Sequence, residues 1–170
     1  MGQAKLKQRA AFASQLIEDW EADDCVNFAI ALARLTGWLL HVDWWTTREQ
    51  STDAPESELI PLRVYVADNQ DRIFDVRGVR SIVDFNERII MNLIRNARLG
   101  SGGVRTRFYG ETKLLSLPLR SQPNEIEIER ALSEIKANPH YLNAIPKRTP
   151  PFIPAHHAAF LNPSSASTKA

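Results

Sequence analysis

Asp23-Asp24-Cys25-Val26-Asn27-Phe28-Ala29-Ile30-Ala31-Leu32-Ala33-Arg34-Leu35-Thr36-Gly37 reads as one buried helix with a start and a stop written into it. Asp23 or Asp24 supplies an N-cap oxygen, and Thr36-Gly37 supplies the residue that leaves the helix in a left-handed turn. Phe28, Ala29, Leu32 and Leu35 form one apolar stripe. Ile30, Ala31 and Ala33 widen it until the helix is apolar almost all round, the pattern of a core helix. Cys25, the only cysteine of the chain, falls in the first turn, where unpaired backbone N–H groups favour a thiolate.

Outward from this helix the pattern changes period. Residues 38–45, Trp-Leu-Leu-His-Val-Asp-Trp-Trp, read as a strand, and the polar stretch from Thr46 to Glu58, with Pro55 inside it, as an excursion. Leu62 to Ala67 alternates as a strand. Asp68-Asn69-Gln70-Asp71 turns the chain, and Arg72 to Arg77 returns as a paired strand closed by Gly78. Upstream, Leu6, Ala10, Ala13, Leu16, Ile17 and Trp20 place an amphipathic helix over residues 4–21. Downstream, Asp84 starts a helix with Glu87 as capping partner and Ile89, Ile90, Leu93, Ile94 and Ala97 as its inner stripe. Gly100-Ser101-Gly102-Gly103 reads as a flexible break, and Val104 to Tyr109 and Lys113 to Leu119 as short strands. Asn124 opens a last helix with Ile128, Leu132 and Ile135 inside, which Asn138-Pro139 stops.

The expected class is therefore α+β, an antiparallel sheet packed by helices, over a single domain of residues 1–145. Residues 146–170 differ in composition: they hold five of the ten prolines and end in Ser-Ser-Ala-Ser-Thr-Lys-Ala. They read as an extended or disordered tail.

Composition excludes several functions. No apolar run approaches the roughly 18 residues of a membrane span, and the polar N-terminus has no signal core, so no membrane partner and a cytoplasmic location are expected. One cysteine leaves no internal disulfide and no thiolate zinc cluster. No metal and no cofactor is expected; His156-His157 lacks the further ligands a site needs. The net charge of +1 hides an asymmetry: residues 18–58 hold ten acids and two bases, whereas residues 63–107 hold nine arginines and five acids.

Asp24-Cys25-x-x-Phe28-Ala29-x-Ala31-Leu32-x-x-Leu35-Thr36-Gly37-Trp38, then Pro61-Leu62-Arg63-Val64-Tyr65-Val66, then Asp71-Arg72-Ile73-Phe74-Asp75-Val76-Arg77-Gly78-Val79, resembles the opening of small bacterial papain-like domains. The resemblance covers residues 23–79. It implies a papain-like arrangement in which the cysteine is the nucleophile, a histidine on a following strand the base, and Asp75 the orienting acid. This chain departs from that pattern: Arg63 stands where the histidine is expected, and a guanidinium stays protonated and accepts no proton. The skeleton Cys25, Arg63, Asp75 is then a triad without its base.

Three functions follow, in order of expectation. The first is a degenerate, non-catalytic domain, a bacterial accessory protein that binds a macromolecule, with a protein partner foremost. Trp44 and Trp45 are candidate contacts, and since neighbours on a strand face opposite ways, only one can enter the core. The second is a live cysteine hydrolase or acyl-transferase in which His41 replaces the missing base for Cys25 and Asp75 orients it. The third is nucleic-acid binding through Arg95, Arg98, Arg105 and Arg107 beside Phe108 and Tyr109, which the near-neutral charge disfavours.

Overall fold

The computed structural model describes residues 25–47, 49–50, 53–68, 70, 72–84 and 102–145. The helix expected over 4–21, the stripe from Ile89 to Ala97 and the tail from 146 lie outside them.

Helix α1, Cys25–Thr36, begins and ends as its sequence predicts. Gly37 takes φ 74° and donates its N–H to the Ala33 carbonyl (2.7 Å). Thr36 Oγ1 donates back to Leu32 O and accepts from the Trp38 N–H, so the exit is hydrogen-bonded on both sides. The chain then forms β1 (Leu40–Thr47), a single 3-10 turn (Glu56–Glu58), β2 (Ile60–Ala67), β3 (Arg72–Asp75), β4 (Gly78–Ser81) and β5 (Gly102–Tyr109). The short helix α2 (Glu111–Leu114) follows, then α3 (Glu125–Ala137) and α4 (Pro139–Ala144). The five strands make one antiparallel sheet in the order β4-β3-β2-β1-β5. The fold is α+β, as expected: four strands meander outward, and β5 returns to the free side of β1.

Alternation along β1 sorts the two faces. Leu40, Val42 and Trp44 enter one apolar core with Val64, Val66 and Phe74 from the sheet and Phe28, Ile30 and Leu32 from α1. Ile128, Ala131 and Ile135 of α3 join the same core, and α1 lies chiefly over β2 while packing against α3. Tyr141 of α4 meets Phe28 edge-on (ring centroids 6.0 Å apart) and donates its hydroxyl to Asp75 O (2.9 Å). Asn27, buried in the first turn of α1, accepts from the Asn124 N–H (2.9 Å), so the starts of α1 and α3 are tied together.

Several boundaries differ from expectation for local reasons. The strand placed over Arg72–Arg77 stops at Asp75, because Val76-Arg77 is a two-residue turn; Gly78, at φ 113°, opens β4, a strand the sequence reading missed. Lys113–Leu119 is no strand. Leu114 and Leu117, three apart, are the buried residues there, which is helical spacing, and Glu111–Leu114 is helical. Residues 82–84 are already helical, with Ser81 Oγ accepting the Asp84 N–H, so Ser81 and not Asp84 is the cap. Asn138 ends α3 and also caps α4, whose Pro139 needs no N–H partner. Gly102 and Gly103 are not a free hinge but the first residues of β5, paired with Thr47 and Thr46.

Candidate functional site

Cys25 is the first residue of α1. The groups expected around it lie elsewhere. His41, Asp43 and Trp45 project from the face of β1 opposite Leu40, Val42 and Trp44, and α1 packs on the latter face. His41 stands between the rings of Phe108 (4.4 Å between centroids) and Tyr65 (5.1 Å), its cross-strand neighbours on β5 and β2. His41 is thus on the face of the sheet away from α1.

Arg63 is on that same distal face. Its Nε donates to Asp43 Oδ2 at 2.5 Å, with Arg63 9% and Asp43 1% exposed. Asp43 Oδ1 also accepts from Thr106 Oγ1 (2.5 Å) and the Tyr65 hydroxyl (3.3 Å). The arginine plane passes over the Tyr65 ring, 5.1 Å from its centroid. Burial, with the Asp43 charge second, pushes the Tyr65 phenol above its ordinary range, so it stays a donor. Three side chains from the two strands that flank β1 therefore close around one buried carboxylate. Sequence reading put Arg63 opposite a sulfur; it missed that Asp43 is its direct cross-strand partner, a pairing visible only once the β1–β2 register is known.

Asp75 is used locally. One carboxylate oxygen accepts the Arg77 N–H (2.9 Å) and the other pairs with Arg80. It shapes the β3–β4 turn and neutralises an arginine.

The two neighbouring tryptophans divide as strand geometry requires. Trp44 is 0% exposed, in one core with Ala54 and Leu59 of the excursion; a wholly buried indole is no surface contact, which corrects its assignment as one. Trp45 is half-buried in a row with its partners Ile60 (40% exposed) on β2 and Val104 (39%) on β5. Its indole lies so close over Gly102 that a Cβ there would sit 2.8 Å from the ring and 2.2 Å from Thr46 O. Glycine at 102 leaves the room that the ring takes up at the sheet end.

Arg95 and Arg98 lie outside the described residues. Arg105 is half-buried on β5. Arg107 is committed: it pairs with Glu56 (3.1 Å) and donates to Ala54 O (2.6 Å). Tyr109 donates to the same Glu56 carboxylate (2.9 Å). Burial raises the Glu56 pKa, but its own backbone N–H, Tyr109 and Arg107 outweigh that and leave the carboxyl below its ordinary value. Arg34 gathers Glu111, Glu125 and Glu129 (2.6, 2.5 and 3.5 Å), a surface network at the junction of α1, α2 and α3.

Among the described residues no group of three or more His, Cys, Asp or Glu side chains could hold a metal ion. No described helix is long and apolar enough to cross a membrane. No family model, curated protein or solved structure matches the chain.

Proposed function

We propose that this chain is a non-catalytic domain of papain-like arrangement, a degenerate relative of cysteine hydrolases, that binds a macromolecular partner, foremost a protein. The observation that carries this reading is the Asp43–Arg63 pair. The position that the papain-like pattern reserves for a proton acceptor holds, in residue order, a guanidinium that faces away from α1 and whose Nε is already given to a buried carboxylate. Such a group neither accepts the thiol proton nor returns it to a leaving group. The helix that opens at Cys25 and runs onto an antiparallel sheet supports the arrangement. The placement of His41 across the sheet from α1, and the use of Asp75 by Arg77 and Arg80, support loss of the catalytic role.

For binding, the Ile60–Trp45–Val104 row offers what an anchor needs: a large aromatic packed close over Gly102, with aliphatic neighbours and partial exposure. The reading is tested by alkylating Cys25 with iodoacetamide across pH. A non-catalytic domain labels with a midpoint at or above that of a free thiol, about 8.5. A midpoint several units lower, together with ester or amide hydrolysis abolished by Cys25→Ser, would instead establish the hydrolase. Partner capture that survives in Trp45→Ala would remove the row from the interface.

A further inference from the structure

The two edges of the sheet are built differently. On one side β4, Gly78–Ser81, ends it after four residues, and the chain is helical at once over 82–84. So short an edge offers little to pair with. On the other side β5, Gly102–Tyr109, ends it with eight residues. β5 pairs with β1 residue for residue, without a bulge, and holds neither proline nor lysine. Three devices that spoil an edge for pairing are thus missing from it.

One antiparallel neighbour uses only alternate residues of a strand, so every second residue of β5 turns its N–H and C=O away from β1. No further strand pairs with β5 among the described residues. Its first three residues, Gly102, Gly103 and Val104, are exposed, and the space where a Gly103 side chain would stand is open. Two glycines leave the main chain bare where another backbone can come alongside.

The side chains of this stretch define what fits there. On one face Val104, 39% exposed, brings the Ile60–Trp45–Val104 row out to the edge itself. On the other face stands Arg105, half-buried opposite Trp44. Arg63, Arg72, Arg80 and Arg107 each pair with a carboxylate. Arg105 pairs with none among the described residues. Successive residues of an added strand meet these two in turn, an apolar one beside Val104 and an acidic one beside Arg105.

We propose that residues 102–106 take an extended peptide of a partner protein as a sixth strand, with an apolar residue beside Val104 and the adjacent carboxylate on Arg105. This rests on the interaction reading above and gives its mode of contact: backbone pairing for affinity, two side chains for choice. The two fail separately. Cys25 labelling decides the first whatever β5 does, and peptide titration decides the second whatever the thiol does.

The first measurement uses the full chain alone. In native-state hydrogen exchange, alternate amides across residues 103–106 should exchange at least about 100-fold faster than the amides between them, which β1 holds. Protection of all of them would show the edge already covered and would overturn the proposal. The second is NMR titration of the isotope-labelled chain with a short blocked peptide that alternates valine with glutamate. At saturation it should slow the outward amides about tenfold, and it should bind about fivefold to tenfold more tightly than the same peptide with lysine for glutamate. Arg105→Gln should remove most of that preference, and a backbone N-methylated peptide should not bind. Equal binding of the two peptides, an unchanged preference in Arg105→Gln, binding that survives N-methylation, or no response of β5 at about 1 mM peptide would each overturn the proposal. So would protection of the outward amides that rises with protein concentration alone, which assigns the edge to a second copy of the chain.

Discussion

The two faces of β1 solve the same problem by different means. On one face Leu40, Val42 and Trp44 share one apolar core with α1 and α3, and neighbours there are interchangeable in kind if volume is kept. On the other, Asp43 is wholly buried and is tolerable only because Arg63, Thr106 and Tyr65 each donate to it. The apolar face draws its stability from area removed from water. The polar face gains little net stability from its pair, since desolvating two charges offsets their attraction, but it is intolerant of losing one member. One strand thus carries a forgiving core and an exacting one.

The sharpest way to break that contrast is Arg63→Met. It strands the Asp43 carboxylate and should cost about 3–5 kcal/mol in urea unfolding, while Asp43→Leu combined with Arg63→Met should recover more than half of that loss. A double variant no more stable than the single would place the exacting behaviour elsewhere. Next is Gly102→Ala, which drives a methyl into Thr46 O and the Trp45 ring. It should cost about 1–3 kcal/mol by overpacking and raise Trp45 accessibility to acrylamide.

Ile30→Val and Ile73→Val then compare packing directly, since both residues are fully buried but Ile73 clusters with Tyr65 and Ala67 on the polar side. Each should cost about 0.5–1.5 kcal/mol, and a much smaller value at Ile73 would show the distal face to be loosely packed. The smallest effect is that of pH on Glu56. A folded pKa below its ordinary value means its stabilisation is complete above the unfolded carboxylate pKa and lost as pH falls through the folded one. Between about pH 6 and about pH 3 the chain should lose up to about 1 kcal/mol more than Glu56→Gln, the contribution being reduced by partial exposure.

Elements with a local cause were legible in the sequence. Helix α1 carries its own stripe and stop. The β2–β3 turn is organised by Asp68, whose carboxylate accepts the Gln70 and Arg72 N–H groups and pairs with Arg72. Asn124 caps α3 by accepting from Ile126 N, as expected. What was not legible depends on register and on distant neighbours. That Asp43 faces Arg63 on one side and Thr106 on the other is decided by how three strands align. A bulge at the Asp43/Trp44 step, which shifts Trp44 onto Pro61, leaves no clear mark in the residues. Likewise Trp44 and Trp45 are identical letters, and which of them enters the core is decided by the face that β1 turns to the helices. The catalytic skeleton was implied by a resemblance in residue order along the chain, whereas the sheet sorts residues by parity, and parity puts His41 and Arg63 away from α1.

The central position of β1 has a consequence for how the molecule is made. Its partner β2 follows within a short hairpin-like excursion, but its other edge stays open until β5, Gly102–Tyr109, has been synthesised, and the Asn27 link to Asn124 comes later still. During translation, then, a half-built sheet waits with a row of amide and carbonyl groups unsatisfied beside Leu40, Val42 and Trp44. Such a nascent chain is a target for sticking to its neighbours, and slow closure of distant contacts prolongs that window. Production of this protein should therefore be governed by how quickly the ribosome delivers residue 109 and by chaperones that shield β1 until it does.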